Sequence, residues 1–463
     1  MNAVVDFSKA AGSALSANAS SLTSYRVILD SAIPQHQTAD GTADVVSLGG
    51  ERLIFINRFY HPDVSATSQM LYDLTRRLAR CGYEVHVICS RQLYGDAKAH
   101  LPAHEIIEGV HVHRVMGTRF GRDQLSARAI DYASFYLWAF VMMLKLVRND
   151  DVLIVKTDPP LISVPAALVS RLRGAHLVNW LQDLFPEVAS LLGHHRIPRW
   201  AGAMLRWLRD RSLKAAAINV VIGENMKQCV LARGVPSQSI RVIENWSDGE
   251  FVTPKATVES RLHSKLELDG KFVVGYSGNL GRAHEFETML KAAIQLQHHK
   301  DVVFLMIGGG ARMQQLRSAV DAAGLRNFLF LPYQPRHALS DSMAAVDVHL
   351  TCLLPELEGL IVPSKFYGIL AAGRPTVAIG DTAGEIAHIV MRHGCGVAVQ
   401  TGHYRQLADI LLMLKSDANL RSVMGKRARE LFVAQHTADH GALRWRKALA
   451  DIRTTGLMVP ALA

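Results

Sequence analysis

Three consecutive residues, Pro363, Ser364 and Lys365, stand immediately before a predicted helix over Phe366–Ala372. An apolar strand predicted over Val346–Cys352 leads into the loop that carries them. The hydroxyl of Ser364, the ammonium of Lys365 and the free N–H groups of a helix start suit a phosphate-bearing ligand. The same residue pattern is also found in an ordinary strand-to-helix connection that binds no ligand and whose lysine is solvated. The residues alone therefore leave both interpretations open.

A second stretch, Gly278-Asn279-Leu280-Gly281, follows a predicted strand and precedes a predicted helix. Its glycines permit close backbone approach, and the N–H groups of such a turn can surround a diphosphate. Arg282 comes next and is a candidate cation for the same phosphate. Glycine turns also occur in α/β connections that bind nothing. We interpret the later run of three glycines, residues 308–310, mainly as a tight turn.

Asp158 and Asp183 each come directly after a predicted strand. In open α/β sheets, ligands bind at the carboxyl ends of the strands, so carboxylates there indicate a site, although helix capping is the alternative. No HxxEH, GxSxG or P-loop motif occurs. No pair of carboxylates of the hydrolase type and no cluster with metal-ligand spacing stands out. We therefore expect a site without a metal.

Composition limits the class of protein. The chain has 463 residues, 49% of them hydrophobic and 20% charged, and a net charge of +10, which favours anionic partners. Nucleic acid is not expected, because no dense arginine block, zinc spacing or aromatic signature is present.

Five scattered cysteines indicate a reduced, cytoplasmic protein without disulfides. The longest apolar run, Ala133–Leu144, is shorter than the roughly 20 residues that a membrane span requires.

Strands alternating with helices twice along the chain predict two doubly wound α/β domains. Residues 1–48 are rich in Ala, Ser, Thr and Asp and predict a disordered tail. We assign residues 49–245 to an N-terminal Rossmann-like domain and residues 246–435 to a C-terminal one. Residues 436–463 are expected to be helical and to pack back toward the N-terminal domain.

The stretch from Thr351 to Asp381 resembles the nucleotide-sugar-binding segment of family 4 retaining glycosyltransferases. It resembles in particular the branch found in bacterial exopolysaccharide, colanic-acid-type and O-antigen clusters, which carries Pro-Ser-Lys and then Ala-Ala-Gly-Arg-Pro. The resemblance covers roughly residues 52–450. It implies the GT-B architecture, in which two Rossmann-like domains face a central cleft, and a reaction without a bound metal.

The sequence departs from the broad family at several positions. Gly368 occupies the place of a glutamate that holds the donor's ribose, and Glu356 or Glu358 upstream is left as the remaining acid. Asn279 and His284 stand where the family usually has arginine and lysine. The glycine at 368 is compatible with the narrower branch.

The resemblance also assigns roles on both sides of the reaction. It implies that Tyr333 lies in the segment that meets the nucleobase, and that Asp183 belongs to an acceptor-side segment, with Gln182 in a histidine's place. In this fold family the leaving diphosphate helps to deprotonate the acceptor, so the protein supplies positioning and charge stabilisation. The candidate catalytic residues are Asp183 and Asp158, and the candidate donor-binding residues are Gly278, Asn279, Gly281, Arg282, Tyr333, Glu358, Ser364 and Lys365.

The predicted function is transfer of a sugar from a nucleoside diphosphate sugar to a polyprenyl-diphosphate-linked saccharide in bacterial exopolysaccharide or surface polysaccharide synthesis. The alternatives are a non-catalytic, glycosyltransferase-like partner subunit and a sugar-nucleotide epimerase of the same fold. We expect a cytoplasmic protein, peripheral at the inner face of the membrane. Aromatic and basic residues in the segments 128–148 and 200–214 make an anionic membrane surface a further expected partner. The alternative is that both segments are core helices of a Rossmann layer with cations only at their solvated edges.

Overall fold

The computed structural model describes residues 50–94, 96, 99–118, 125–193 and 198–454. The tail predicted for residues 1–48 lies outside the described residues, as do residues 455–463. The side chains of residues 125–129, 199 and 454 are also outside this description.

The secondary structure alternates between strands and helices along most of the chain. The strands are β1 (Arg52–Ile56), β2 (Glu84–Ser90), β3 (His104–Ile107), β4 (Val110–Val115), β5 (Val152–Lys156), β6 (His176–Trp180), β7 (Ile218–Val221), β8 (Ile240–Val242), β9 (Phe272–Asn279), β10 (Val302–Gly309), β11 (Phe328–Leu331), β12 (Val348–Cys352), β13 (Thr376–Gly380) and β14 (Gly396–Gln400). The helices are α1 (Ala66–Arg80), α2 (Leu125–Leu146), α3 (Ser163–Arg173), α4 (Glu187–Leu191), α5 (Arg199–Ala215), α6 (Glu224–Leu231), α7 (Arg261–Lys265), α8 (Glu287–Gln295), α9 (Met313–Ala322), α10 (Leu339–Ala344), α11 (Lys365–Ala371), α12 (Glu385–Arg392), α13 (Tyr404–Ser416), α14 (Ala418–Gln435) and α15 (Ala438–Thr454).

The chain forms two compact units. The N-terminal unit combines the described residues of three segments, 50–252, 353–368 and 432–454. The C-terminal unit combines two segments, 253–352 and 369–431. Each unit is built on one sheet.

The sheet of the N-terminal unit has the strand order β3-β4-β2-β1-β5-β6-β7-β8. Neighbouring strands are parallel except β3, which is antiparallel to β4. Central strands such as β1 and β5 are apolar and buried on both faces, as strands of a covered parallel sheet are. The chain first adds β2 on one side of β1 and then returns to place β5 on the other, so the strand order reverses between β1 and β5.

Three tryptophans make a stack in the core of the N-terminal unit. The Trp180 ring centroid lies 5.9 Å from that of Trp246 and 4.8 Å from that of Trp445 on α15. A Cβ atom at Gly441 would lie 2.5 Å from Trp246 Cε3, so a glycine is needed for α15 to approach this closely. The last described helix is thus part of the core of the N-terminal unit.

The sheet of the C-terminal unit is parallel throughout, with the order β11-β10-β9-β12-β13-β14. Its strand order reverses between β9 and β12. One face packs against residues of α8 and α13, including Met289, Leu407 and Leu411. The prediction of two doubly wound α/β units is confirmed.

Two local predictions need correction. The sequence analysis did not predict β3, a four-residue edge strand whose side chains alternate between exposed and half-buried. Gly278 and Asn279, predicted to lie in a turn, are the last residues of β9, because β9 and β10 pair as far as Asn279 and Gly309. Among the described helices, none reaches the combination of length and hydropathy that a bilayer crossing requires.

Candidate functional site

The carboxyl edge of the sheet in the C-terminal unit is the first candidate site. Doubly wound sheets bind ligands beside the point where the strand order reverses, which here lies between β9 and β12. His284, in the loop after β9, places Nδ1 2.7 Å from the Cys352 carbonyl at the end of β12. Because a carbonyl only accepts, Nδ1 donates this hydrogen bond, and it ties the two sides of the reversal together.

Glycines bring the ends of β9 and β10 unusually close together. Gly278, Gly308 and Gly310 have φ values of 120°, 127° and 119°, in the region that favours glycine. A Cβ atom on Gly308 would lie 2.2 Å from the Gly278 carbonyl oxygen, and one on Gly310 would lie 2.3 Å from Asn279 Oδ1. The glycine run at 308–310 therefore does more than turn the chain: it lets the end of β10 pack backbone against backbone on the end of β9. We call this edge the glycine surface.

Polar and aromatic side chains surround this glycine surface. Arg282 is exposed, and Tyr333 is 61% exposed with its ring beside Gly309. Arg312, half-buried, donates from Nη1 to the His284 carbonyl at 2.9 Å. Arg312 was not predicted from the sequence, although its position just after the three glycines, next to the start of α9, is a signal for it. Two arginines beside a glycine-rich edge suit an anionic ligand.

The carboxyl edge of the N-terminal unit holds the two candidate catalytic aspartates. Asp158 follows β5 at the strand reversal, and its carbonyl accepts from Arg58 N at 2.7 Å. Asp183 follows β6, and the neighbouring Gln182 donates from Nε2 to Asn245 Oδ1 at 3.1 Å. The prediction that both aspartates directly follow strands at this edge is confirmed by these positions.

Asp183 is held in an environment that disfavours its charge. Burial raises the pKa of its carboxyl from 3.8 to about 6, a hydrogen bond with Thr157 opposes the shift, and the charge of Asp158 adds to it. Its Oδ1 is buried and has no hydrogen-bond partner among the described groups. A carboxyl with one unsatisfied oxygen and a pKa near neutrality can accept a hydrogen bond from a ligand hydroxyl.

Lys156 is a buried cation at the same edge that the sequence analysis did not single out. Its Nζ lies 3.0 Å from the Thr67 carbonyl and 3.8 Å from the centre of the Trp180 ring. Burial lowers the pKa of Lys156 to about 7, and the charge of Asp158 partly offsets this. In the sequence, a buried lysine at the end of an apolar strand looks the same as an exposed lysine at that position.

The loop before α11 lies against Asp183 within the N-terminal unit. Asp183 forms an isolated antiparallel bridge with Ile361, and Leu184 N donates to the Leu360 carbonyl at 3.0 Å. Gly359, with a φ of 72°, fits against Cys229 Sγ, which would be 2.8 Å from a Cβ atom there. Glu358, the candidate acid for donor binding, is half-buried and lies just before the residues of this loop that contact the Asp183 segment. The loop that carries Glu358 therefore contacts the loop that carries Asp183.

Ser364 immediately precedes α11, and Lys365 is its first residue, one position earlier than predicted. Both side chains are half-buried, and Gly368 lies in the middle of the helix. The structure thus divides the candidates into two groups. The N-terminal unit holds Asp158, Asp183, Glu358, Ser364 and Lys365, and the C-terminal unit holds Gly278, Asn279, Gly281, Arg282 and Tyr333.

Glu187 anchors the segment that follows Asp183. Its Oε1 accepts from Arg209 Nη2 at 2.8 Å and from Arg233 Nη2 at 2.9 Å. Burial alone would raise the pKa of Glu187, but the hydrogen bonds from these two arginines outweigh it and lower the pKa to about 2. Glu187 therefore fixes the segment rather than offering a free acid.

Two family models match the chain. "Glycosyl transferase 4-like domain" matches residues 65–246, and "Glycosyl transferases group 1" matches residues 258–431. The chain belongs to the family 4 glycosyltransferases. The matched segments contain both edges described above, and the resemblance drawn from the Pro-Ser-Lys stretch is confirmed.

Bacterial glycosyltransferases are among the known relatives of this family 4 glycosyltransferase. It is 31% identical to the probable glycosyltransferase WbjE of Pseudomonas aeruginosa over 56% of this chain and 65% of the relative, just under two thirds of its length. It is 24% identical to the putative colanic acid biosynthesis glycosyl transferase WcaI of Escherichia coli K12, over 71% of this chain and 83% of that one.

The solved structures that resemble this family 4 glycosyltransferase share its fold. HepE of Anabaena in complex with UDP-glucose superposes with a TM-score of 0.64 at 16% identity, over 86% of this chain and 99% of that one. The expected fold class, GT-B with two Rossmann-like domains, is confirmed by such neighbours and by the two parallel sheets.

Proposed function

We propose that this protein transfers a sugar, with retention of anomeric configuration, from a nucleoside diphosphate sugar to a polyprenyl-diphosphate-linked saccharide. The product belongs to bacterial exopolysaccharide or surface polysaccharide synthesis, as the name of WcaI, a putative colanic acid biosynthesis glycosyl transferase, suggests for that relative. The work takes place at the cytoplasmic face of the membrane, where such a lipid-linked acceptor is reached. No metal is proposed in the reaction.

The observation that carries the donor proposal is the glycine surface at the ends of β9 and β10. Its glycines, with positive φ values and close backbone packing, fit the turn type whose N–H groups bind a diphosphate. Arg282 and Arg312 supply positive charge there, and Tyr333 offers an exposed ring for a nucleobase. The UDP-glucose bound to HepE supports the same ligand class.

Lys365 and Ser364 are proposed to bind the donor's diphosphate, and Glu358 the donor's ribose or sugar. The argument is chemical: an ammonium and a hydroxyl at a helix start favour phosphate oxygens, and a half-buried carboxylate favours sugar hydroxyls. The loop that carries them is fixed at Ile361 and Leu360 by the segment of Asp183. Such fixing lowers the entropy cost of binding a ligand.

The acceptor side is assigned to Asp183 and Asp158. In the proposed reaction the leaving diphosphate takes the proton of the acceptor hydroxyl while the new glycosidic bond forms on the same face of the sugar. Asp183 accepts a hydrogen bond from the acceptor and orients it. Val64, Tyr94 and Met116 follow β1, β2 and β4 and are more than half exposed at this carboxyl edge, which favours an acceptor with an apolar part.

The test combines donor binding with turnover. Thermal-shift measurements with UDP-, GDP- and dTDP-sugars should reveal one class of donor that raises the melting temperature, because a ligand of the native state stabilises it. Product NMR then reports whether the anomeric configuration is retained. Inversion would refute the retaining mechanism, and an epimerised donor without transfer would support the epimerase.

A non-catalytic partner subunit is the competing function, and Gly368, Asn279 and His284 in place of charged family residues motivate it. A partner subunit of this kind should bind the donor but transfer no sugar to any lipid-linked acceptor. Transfer by the purified chain that is lost in Asp183→Asn would exclude it.

A further inference from the structure

Helices α2, α3 and α5 cover one face of the sheet in the N-terminal unit side by side. Ser163 of α3 and Ser212 of α5 are hydrogen-bonded at 2.9 Å, and the Arg173 guanidinium of α3 donates to the Leu144 carbonyl of α2. Each helix leads from the carboxyl edge of the sheet to its amino edge, so the three run in the same direction. We call their outward surface the three-helix face.

The three-helix face exposes large apolar side chains that its helices do not use for packing. On α2, Phe135, Ala139 and Met143 point into the core while the opposite side is exposed. Isolated apolar side chains on a surface are ordinary, but a set on three adjacent helices forms a patch. The exposed members are Ile130, Leu137, Trp138, Leu168, Leu172, Trp200, Met204 and Trp207.

Cations follow the apolar side chains along the same helices. The last turns of α2, α3 and α5 and the residues just after them expose Lys145, Arg148, Arg171, Arg173, Arg211 and Lys214. Acidic side chains are scarce: within the three helices the sequence has nine Lys or Arg against two acids, Asp131 and Asp210, and the exposed Asp150 follows α2. Asp131 is buried on Thr118, and Asp210 is paired with Arg209. The side chain of Arg128 lies outside the described residues.

The six tryptophans of the chain separate into two sets. Trp180, Trp246 and Trp445 form the buried stack in the core. The other three, at positions 138, 200 and 207, are 41%, 71% and 55% exposed, and all lie on the three-helix face. The Arg211 guanidinium stacks 5.0 Å from the Trp207 ring centre.

We propose that the three-helix face docks on the surface of an anionic lipid bilayer without crossing it. Exposed tryptophan beside lysine and arginine is the composition that settles in the headgroup region, with apolar rings inserted and long cationic side chains reaching phosphates. A protein partner or a second copy of this chain would instead have to supply acidic groups opposite these cations, and the face itself has no exposed acid in the three helices to pair with a copy of itself.

This inference deepens the proposed function and rests on it only for the choice of the cytoplasmic leaflet. The beginnings of α2 and α5 lie toward the carboxyl edge that carries Asp158 and Asp183, and the beginning of α5 exposes Trp200 and Met204. Docking there brings that edge to the bilayer, where the sugar of a lipid-linked acceptor is displayed.

The first experiment is flotation of the full chain with vesicles of phosphatidylcholine alone or mixed with phosphatidylglycerol. Binding is expected only to the anionic vesicles, and it should weaken at high salt because exposed charges are screened. Arg206→Glu/Arg211→Glu should lower the partition coefficient about 20-fold or more, from the contribution of each cation near an anionic surface. Lys291→Glu, an exposed cation of α8 in the other unit, is the matched control and should bind as the unchanged chain does.

The second experiment reads the docked face directly. Brominated lipid should quench the fluorescence of the exposed tryptophans but not that of the buried stack, and Trp200→Gln/Trp207→Gln should remove most of the quenching and weaken binding. Leu443→Gln, an exposed apolar position on α15, should leave both unchanged. Equal, negligible flotation with both vesicles, or a dimer that disappears in the arginine variant, would overturn the proposal. Transfer to a water-soluble acceptor would persist in that case, so failure of docking and failure of the proposed function are distinguishable.

Discussion

Replacing Asp183 by asparagine tests whether this carboxyl is kept in an unfavourable state for function. Its pKa is raised to about 6 in the folded chain by burial, against an ordinary 3.8. Because the folded state binds the proton more tightly, ionisation destabilises it progressively as the pH rises from about 4 to about 6. Asparagine has nearly the same shape and no charge, so the cost disappears in the variant.

The size of the effect follows from the two pKa values. At about 1.4 kcal/mol per unit, the ionisation cost is about 2 kcal/mol at pH 5 and about 3 kcal/mol at pH 8. The free energy of unfolding of Asp183→Asn, relative to the unchanged chain, should therefore rise by about 1 kcal/mol between these pH values. Transfer should fall strongly in the same variant while donor affinity is spared.

The assay is urea unfolding of both proteins at pH 5 and pH 8, with turnover and donor calorimetry on the same samples. Thr157→Val is the matched variant: without the hydroxyl that hydrogen-bonds the carboxylate, the pKa of Asp183 should rise further and the pH dependence should steepen. A stability difference between Asp183→Asn and the unchanged chain that does not depend on pH would refute the electrostatic account. Equal loss of transfer and donor affinity would refute the acceptor role.

Three further changes have definite expected outcomes. Lys365→Ala should weaken donor binding by about 1.5 to 3 kcal/mol, the scale of a hydrogen bond to a charged group, and calorimetry showing unchanged affinity would remove its phosphate role. Gly308→Ala should cost about 1 to 3 kcal/mol of unfolding free energy and abolish donor binding, because its Cβ meets the Gly278 carbonyl at 2.2 Å; a variant that binds donor normally contradicts this. Deleting residues 1–48 should leave the melting temperature within about two degrees, since their composition buries no core, and a large drop would show that the tail packs.

Much of the fold was predictable because buried parallel strands are short apolar runs. The run that ends at Trp180 predicts both β6 and the position of Asp183 at its carboxyl end. The edge strand β3 was not predictable in this way, because half of its side chains are exposed and its apolar pattern is weak. The contact between Asp183 and Ile361 joins residues far apart in the chain, and no local pattern encodes it.

The site was predictable in its residue types but not in its grouping. Glycines, aspartates and lysine after strands identify the ligand edges, yet Lys365 and Gly278 belong to different compact units despite being predicted to bind one diphosphate. The buried Lys156 was missed because its depth depends on α1 and Trp180 packing around it. The apolar pair Leu168 and Leu172 has the spacing of a core stripe, so α3 was not expected on the three-helix face.

The place of Trp445 in the tryptophan stack has a consequence for how the chain acquires its structure during synthesis. Trp180 and Trp246 leave the ribosome long before α15 does, so the core of the N-terminal unit lacks one of its largest rings until translation is nearly complete. A nascent chain stalled after Val252 should therefore bind hydrophobic dyes and chaperones. For the same reason, a chimaera that takes its residues up to position 252 from a relative would combine that relative's core with the α15 of this chain. Viable chimaeras should therefore take the last helix from the same relative as well.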